Sequence, residues 1–298
     1  MLLKKLSTIL SRSFHTSVIS RSSVKLAYKL HDVDSSKDKL PIVIMDGLLG
    51  FKENWQYIGH KLSENTKRKV ITIDTRNHGE SPTTEVMTYK LLADDIKSLL
   101  SHLGYEKTVL VGWSLGGSTM MLRTLCEPSS VEKLIVIDIS PVRIPPLVYT
   151  FPAVFNYLKD YDFSGSKNQQ DAVDKLDVYL AKRINNPATR DWITSGVVEK
   201  NNGMFGFKFN LELIIKNFEA NLGDYISAID ENKAVDKFEG QTLFIGGSFS
   251  HYIPTEDHDK IKCIFPNCQF RYIEGVGHFV PRNKPREVVQ LVTEFINK

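Results

Sequence analysis

The sequence predicts an α/β domain built on a doubly wound, mostly parallel sheet with an inserted helical cap. Short apolar runs alternate with longer segments of helical periodicity along most of the chain. The apolar runs are continuous rather than alternating, which is typical of strands buried on both faces of a parallel sheet. This alternation is absent from residues 141–236, where the patterns are helical or irregular and no strand is predicted. We expect that segment to form the cap over one end of the sheet.

Individual elements follow from the same patterns. A helix is predicted where leucine and isoleucine recur at helical spacing ahead of Gly104, and another where Pro285 opens the last amphipathic segment. The segment after Ser114 predicts a third helix. The predicted strands cover residues 41–46, 70–75, 108–113, 133–140, 242–247 and 269–275, and these predicted helices cover residues 88–104, 116–127 and 285–297.

The amino terminus differs in composition from the rest of the 298 residues. Residues 1–31 contain no Asp or Glu, six Lys or Arg, and seven Ser. Such a segment is typical of a mitochondrial transit peptide, which we assign to residues 1–23, with the folded domain over residues 24–298. We therefore expect a mitochondrial, matrix location. The apolar run is too broken for a membrane span, and without the leader the chain is nearly neutral, which argues against nucleic-acid binding.

Catalytic chemistry is indicated by "VGWSLGGS", residues 111–118, which contains the pattern G-x-S-x-G. A predicted strand precedes Ser114 and a predicted helix follows it, as in a nucleophile elbow. Gly112, Gly116 and Gly117 would allow other chain segments to approach the strained turn closely. Ser114 is therefore the candidate nucleophile.

A serine nucleophile needs a base and an oxyanion hole. The base is expected in a loop after the last strand, where "EGVGHFVP" supplies His278. One oxyanion donor is the backbone N–H of Leu115, the residue after the nucleophile. The other is expected in the loop "DGLLGF" after the first predicted strand, and we assign it to the N–H of Leu48.

At these residues the chain resembles the α/β-hydrolase superfamily, in particular the mitochondrial alpha/beta-hydrolase domain-containing protein 11 group and small bacterial esterases. The resemblance runs in order from about residue 41 to 285 and implies the α/β-hydrolase fold. Two residues depart from the pattern of most relatives, because Asp46 and Trp113 stand where those proteins have histidine. We expect the Asp46 side chain to point away from the oxyanion and Trp113 to enlarge an apolar pocket floor. The matching motifs are "DGLLGFKENW", "TIDTRNHGESP", "VGWSLGG", "VIDISPV", "GGSFSHYI" and "GVGHFVP".

The acidic member of the triad has two candidates. The resemblance implies Asp138, which follows the strand after the elbow helix, with Ser250 supporting it. The alternative is an acid in the loop after the cap, such as Asp257. The acid's physical role would be to hold the histidine tautomer and stabilise the imidazolium.

The sequence therefore predicts a serine hydrolase that cleaves a small carboxylic ester or thioester through an acyl-enzyme, with no metal or organic cofactor. Two alternatives remain open. The same triad would serve an alcohol acyltransferase that makes ethyl acetate from acetyl-CoA and ethanol. The chain would also suit a non-catalytic partner of a matrix enzyme complex. Aromatic residues of the cap are expected either to line an acyl pocket or to form the cap's own core; they are Tyr149, Phe151, Phe155, Tyr157, Phe205 and Phe207.

Overall fold

The computed structural model describes residues 22–201 and 203–298. Its strands are β1 (Tyr28–His31), β2 (Ile42–Met45), β3 (Val70–Ile73), β4 (Thr108–Trp113), β5 (Val131–Ile137), β6 (Val197–Glu199), β7 (Phe205–Phe207), β8 (Gln241–Gly247) and β9 (Cys268–Ile273). Its helices are α1 (Gln56–Thr66), α2 (Tyr89–His102), α3 (Leu115–Cys126), α4 (Phe151–Lys159), α5 (Gln169–Ala181), α6 (Pro187–Thr194), α7 (Leu211–Asn217), α8 (Tyr225–Asn232), α9 (His258–Ile264), α10 (Val280–Asn283) and α11 (Pro285–Asn297).

One seven-stranded sheet organises the protein in the order β1-β3-β2-β4-β5-β8-β9. β1 pairs antiparallel with β3, and all other neighbours in this sheet are parallel. Every residue of β2, β3 and β4 is buried, as continuous apolar strands between two layers of helices require. The predicted doubly wound, mostly parallel α/β sheet is confirmed.

The topology brings the candidate site residues to one edge. In parallel strands the carboxyl ends open on the same side of the sheet. Ser114 directly follows β4 and Asp138 directly follows β5. The loops after β8 and β9 carry Ser250 and His278 respectively.

The sequence located the central strands to within three residues at either end but did not predict β1. β1 lies at the edge of the sheet, and only His31 of its four residues is buried. A short edge strand of this kind has no continuous apolar run, so hydrophobic periodicity gives it no signal.

The segment between β5 and β8 contains α4–α8 and a π-helical turn, Phe218–Leu222. It also contains a hairpin of β6 and β7 that the sequence did not predict, because each strand has only three residues. Backbone hydrogen bonds tie this segment to the core: the N–H of Gly79 donates to Lys208 (2.9 Å) and that of Asn210 to Asn77 (2.9 Å). We call residues 141–236 the cap.

The predicted transit peptide lies outside the described residues except for its last two positions. Across the part of the chain that is described, we find no helix with the length and apolarity needed to cross a bilayer.

Candidate active site

Ser114 occupies a strained turn between β4 and α3. Its backbone angles are φ 53° and ψ −118°, and residues with a side chain rarely adopt a positive φ. Glycine is required around it, since a Cβ at Gly112 would lie 2.3 Å from the carbonyl oxygen of Gly116. A Cβ at Gly116 would lie 2.3 Å from the carbonyl oxygen of Met45. The glycines of "VGWSLGG" thus let β4, α3 and the end of β2 pack at backbone distance.

A hydrogen-bond chain joins Ser114, His278 and Asp138. Nε2 of His278 lies 3.2 Å from Oγ of Ser114, and Nδ1 lies 2.8 Å from Oδ2 of Asp138. Asp138 is fully buried and also has a positive φ, 50°. Because the carboxylate accepts the proton on Nδ1, Nε2 is left as the acceptor for the serine hydroxyl. The three side chains that we predicted as a triad are therefore in contact in the required order.

Two further donors hold the Asp138 carboxylate. The hydroxyl of Ser250 donates to Oδ2 (2.6 Å), and the N–H of Gly247 donates to Oδ1 (3.1 Å). The N–H of Asp138 itself donates to the carbonyl of Ile245 (2.8 Å). The loop after β8 thus supports the acid without supplying it.

Asp257, the alternative acid, has a different partner. Arg143 approaches it with two donors, Nε to Oδ2 (2.5 Å) and Nη2 to Oδ1 (3.0 Å). This bidentate pair connects the cap to the loop after β8. Asp257 is buried, its carboxylate is paired with Arg143, and it is not hydrogen-bonded to His278.

The loop after β2 is held by the buried carboxylate of Asp46. Oδ1 accepts from the N–H of Gly47 (2.8 Å), while Oδ2 accepts from the N–H of Phe51 (3.0 Å) and from Nδ2 of Asn54 (2.8 Å). Burial raises the pKa of Asp46, and these donors act in the opposite direction. The carboxylate is therefore engaged by its own loop.

His78, in the turn "DTRNHGESP", holds the same loop from another side. Its Nε2 accepts from the N–H of Leu49 (3.0 Å) and its Nδ1 donates to the carbonyl of Arg76 (3.0 Å), an arrangement that requires the neutral ring. Burial lowers the pKa of His78 to about 4, which favours that neutral form. Leu49 has φ 61°, so His78 stabilises a strained conformation of the loop.

These contacts leave one amide of the loop available. The N–H of Gly50 donates to the carbonyl of Gly47 (3.1 Å), and the N–H groups of Gly47, Leu49 and Phe51 have the acceptors given above. Among the described residues, the N–H of Leu48 has no acceptor. Leu115 is the first residue of α3, and its N–H precedes the helical hydrogen-bond ladder. Leu48 and Leu115 are thus the two predicted donors that can serve an oxyanion.

Trp113 and Tyr252 pack against His278. The indole Nε1 of Trp113 donates to the His278 carbonyl (2.9 Å), and its ring lies 5.1 Å from the imidazole. The Tyr252 ring stacks on the imidazole with a centroid separation of 3.8 Å. Trp113 does not line the cavity at Ser114, so our expectation that it forms the pocket floor is wrong. It instead fixes the loop that carries the histidine.

Two cavities lie next to the residues of the candidate active site. A small cavity of about 30 Å³ includes Ser114, Leu48 and Leu115 in its wall, together with side chains from α2, α3 and the cap. A larger, open cavity of about 780 Å³ lies beside His278, between the loops after β8 and β9 and the cap. Tyr252 lines both. Tyr252, which stacks on the His278 imidazole, therefore lies between a narrow cavity at Ser114 and a wide cavity at His278.

The cap aromatics divide between the two roles left open by the sequence. Phe151 lines the small cavity and Tyr157 the large one. Phe155 and Phe207 are buried in aromatic contacts within the cap, whereas Tyr149 is 71% exposed.

One set of three carboxylates in the described chain is close enough to hold a metal ion: Glu53, Asp74 and Glu80. The ammonium group of Lys52 already occupies their centre, with Nζ 2.6 Å from Asp74, 2.7 Å from Glu80 and 2.9 Å from Glu53. Lys52 and Asp74 are buried whereas Glu53 and Glu80 are exposed, so the cluster is a partly buried ion-pair network that holds the segment before α1.

Sequence reasoning missed the roles of His78 and Tyr252. The motif containing His78 matches the family pattern, but nothing in its spacing indicated contact with the loop after β2. Tyr252 lies in the motif "GGSFSHYI", but that motif did not indicate a contact with His278, because the contact depends on how the loop after β8 folds.

Known proteins resemble this chain over nearly its whole length. A family model described as the alpha/beta hydrolase fold matches residues 41–285. The sn-1-specific diacylglycerol lipase ABHD11 of Danio rerio is 33% identical over 287 residues, covering 96% of this chain and 87% of the relative. Ethanol acetyltransferase 1 of Wickerhamomyces anomalus is 28% identical over 299 residues, covering 92% of this chain and 74% of the relative.

The fold of this chain is also similar to that of a solved structure. A marine microorganism esterase superposes with a TM-score of 0.79 at 30% sequence identity, covering 92% of this chain and all of the esterase chain. The similarity therefore extends to fold as well as sequence.

Proposed function

The chain belongs to the α/β-hydrolase family, and we propose that it is a serine hydrolase that cleaves carboxylic esters or thioesters through an acyl-enzyme on Ser114. The observation that carries this proposal is the hydrogen-bond chain from Ser114 through His278 to the buried Asp138. Leu48 and Leu115 are the proposed oxyanion donors, and Ser250 supports the acid.

In this mechanism Oγ of Ser114 attacks the carbonyl carbon while Nε2 of His278 accepts the hydroxyl proton. Asp138 holds Nδ1–H and stabilises the imidazolium that forms. The negative charge on the former carbonyl oxygen is met by the N–H groups of Leu48 and Leu115 and by the amino terminus of α3. His278 then gives the proton to the leaving oxygen or sulfur. A water molecule repeats these steps on the acyl-enzyme, which releases the acid and restores Ser114.

The two cavities suggest where each part of the substrate lies. The leaving group must sit at His278, which protonates it, and the cavity of about 780 Å³ beside His278 has room for a large one. The acyl group then lies in the cavity of about 30 Å³ that contains Ser114 and both proposed donors. We infer a short acyl group on a larger alcohol or thiol.

An alcohol acyltransferase is a second candidate, supported by the small acyl cavity and by the similarity to ethanol acetyltransferase 1. The same acyl-enzyme would be resolved by ethanol instead of water. Purified protein is incubated with acetyl-CoA, with and without ethanol. Ethyl acetate formation that depends on Ser114 would establish transfer, whereas release of acetate and CoA alone would establish hydrolysis.

The location is also a proposal. The acid-free leader, residues 1–23, would direct the chain to the mitochondrial matrix, where a protein partner is a further possibility in addition to catalysis. Fusing residues 1–31 to a fluorescent protein tests the location. Full rescue of a deletion phenotype by Ser114→Ala would favour a binding role over chemistry.

The activity is tested with p-nitrophenyl acetate and butyrate. We expect Ser114→Ala to lose at least about a thousandfold in kcat, since residual rates come only from binding and the oxyanion donors. Ser248→Ala is the control for the loss of a serine hydroxyl and is expected to remain active, because Ser248 lines neither cavity and its hydroxyl accepts from the N–H of Gly275. Full retention of hydrolysis by Ser114→Ala would refute the proposal.

A further inference from the structure

Two hydroxyl groups in the wall of the small cavity have no hydrogen-bond partner within residues 22–201 and 203–298. Tyr252 and Ser118 both line this cavity, and they are 4% and 0% exposed. Among the described residues neither the phenolic oxygen of Tyr252 nor Oγ of Ser118 has a hydrogen-bond partner. A buried hydroxyl that is left unpaired destabilises a folded protein, so it needs an explanation.

The other tyrosines at this cavity are paired. The hydroxyl of Tyr89 donates to the carbonyl of Leu222 (3.2 Å), and that of Tyr225 donates to the carbonyl of Arg143. The remaining lining side chains, apart from Ser114, are hydrocarbon. Tyr252 and Ser118 are therefore the polar side chains of this cavity that a bound molecule could use without breaking an existing bond.

The cavity is small as well as partly polar. Its volume of about 30 Å³ is room for about two water-sized groups. Beyond its carbonyl carbon, an acyl group that fits has about two non-hydrogen atoms. An acyl group of this size that carries an oxygen would place that oxygen within reach of the wall.

We propose that the small cavity selects a short oxygenated acyl group, one that carries a hydroxyl or aldehyde oxygen on the carbon next to the ester carbonyl. This inference rests on the proposed hydrolase function and names its substrate class. Tyr252 and Ser118 supply the hydrogen bonds to that oxygen. A hydroxyl both donates and accepts, so either form of oxygen is satisfied. A hydrocarbon acyl group of equal size leaves both wall hydroxyls unpaired and is therefore a poorer substrate.

The test compares ethyl glycolate with ethyl propionate, which differ by a hydroxyl in place of a methyl group. The quantity measured is the ratio of their kcat/KM values in the wild type, in Tyr252→Phe, in Ser118→Ala and in the double variant. Both esters are used with every protein, so the difference in their intrinsic reactivity cancels. Tyr252→Phe retains the ring that stacks on His278.

We expect the ratio to fall about tenfold in the double variant, through loss of glycolate turnover, and to fall part of the way in each single variant. Tyr89→Phe is the matched control, because it removes a hydroxyl of the same cavity that already has a backbone partner, and its ratio should equal that of the wild type. An unchanged ratio in the double variant would overturn the inference.

A second measurement separates substrate recognition from a structural role. Loss of two unpaired hydroxyls should leave the Tm of the double variant unchanged or slightly higher. A lowered Tm with an unchanged ratio would assign the hydroxyls to the stability of the free protein and would also overturn the inference. If Ser114-dependent propionate hydrolysis persists in either case, the proposed hydrolase function stands. If neither ester is turned over in a Ser114-dependent way, the proposed function itself fails.

Discussion

Ser250 donates its hydroxyl hydrogen to Oδ2 of Asp138 across 2.6 Å, to the same oxygen that lies 2.8 Å from Nδ1 of His278. The carboxylate oxygen facing the histidine is thus oriented by a side chain from a different loop. Asp138 is completely buried, so its negative charge depends on such donors for compensation.

We predict that Ser250→Ala lowers kcat about tenfold and leaves KM nearly unchanged, because the hydroxyl acts through the acid and not on the substrate. Steady-state kinetics on p-nitrophenyl acetate measure this. Ser248→Ala, two residues earlier in the same loop, is the control, since its hydroxyl accepts from the N–H of Gly275 and does not contact the acid. A normal kcat in Ser250→Ala would show that the Ser250 hydroxyl does not support Asp138 in the reaction.

The choice of acid can be tested by two matched substitutions. Asp138→Asn should lower kcat by about three to four orders of magnitude, since an amide cannot hold the required histidine tautomer or stabilise the imidazolium. Asp257→Asn should retain most of the activity, because Asp257 is paired with Arg143. Circular dichroism checks that both variants fold. The reverse pattern of activities would make Asp257 the acid.

Gly116 should tolerate no side chain. A Cβ there would lie 2.3 Å from the carbonyl oxygen of Met45, and neither backbone can move without disturbing β2 or α3. We expect Gly116→Ala to lower the free energy of unfolding by about 3 kcal/mol or more, measured by urea denaturation. Gly277→Ala is the control, because a Cβ there meets no atom within 4 Å. Equal stability of the two variants would contradict the close packing at the elbow.

His78 should make stability depend on pH in the acid range. Burial lowers the pKa of His78 to about 4, whereas a histidine in the unfolded chain titrates near 6.5. Between these values the unfolded chain binds more protons, so the free energy of unfolding falls as pH falls from about 6.5 to 4. The stabilisation is fully present above about 6.5. One such group contributes a slope of up to about 1.4 kcal/mol per pH unit.

Replacing His78 isolates this contribution. In His78→Gln we expect a flatter curve of unfolding free energy against pH between 4 and 6.5, together with a lower kcat at neutral pH, because the loop carrying Leu48 loses its support. Equal slopes in wild type and His78→Gln would show that His78 does not titrate with folding.

Much of this arrangement is predictable from the sequence because it depends on local patterns. The strands around Ser114 and Asp138 have continuous apolar runs, and parallel pairing then places both residues at one edge. His278 follows the last predicted strand, which is parallel to the others, so the loop that carries it opens at the same edge of the sheet.

Other features depend on contacts between distant loops, which no periodicity reports. The sequence left Asp138 and Asp257 as alternatives, and the pairing of Asp257 with Arg143 depends on how the cap docks. Trp113 was expected in the pocket floor, but its indole is directed to the His278 carbonyl. The edge strand β1 and the cap hairpin are too short to produce a hydrophobic pattern.

Fluorophosphonate labelling with mass-spectrometric mapping tests whether Ser114 is a nucleophile activated by His278. We predict a single covalent adduct on Ser114 in the wild type, no adduct in Ser114→Ala, and labelling slowed at least about a hundredfold in His278→Ala, which lacks the base. An adduct mapped to another residue, or undiminished labelling of Ser114→Ala, would show that Ser114 is not the nucleophile.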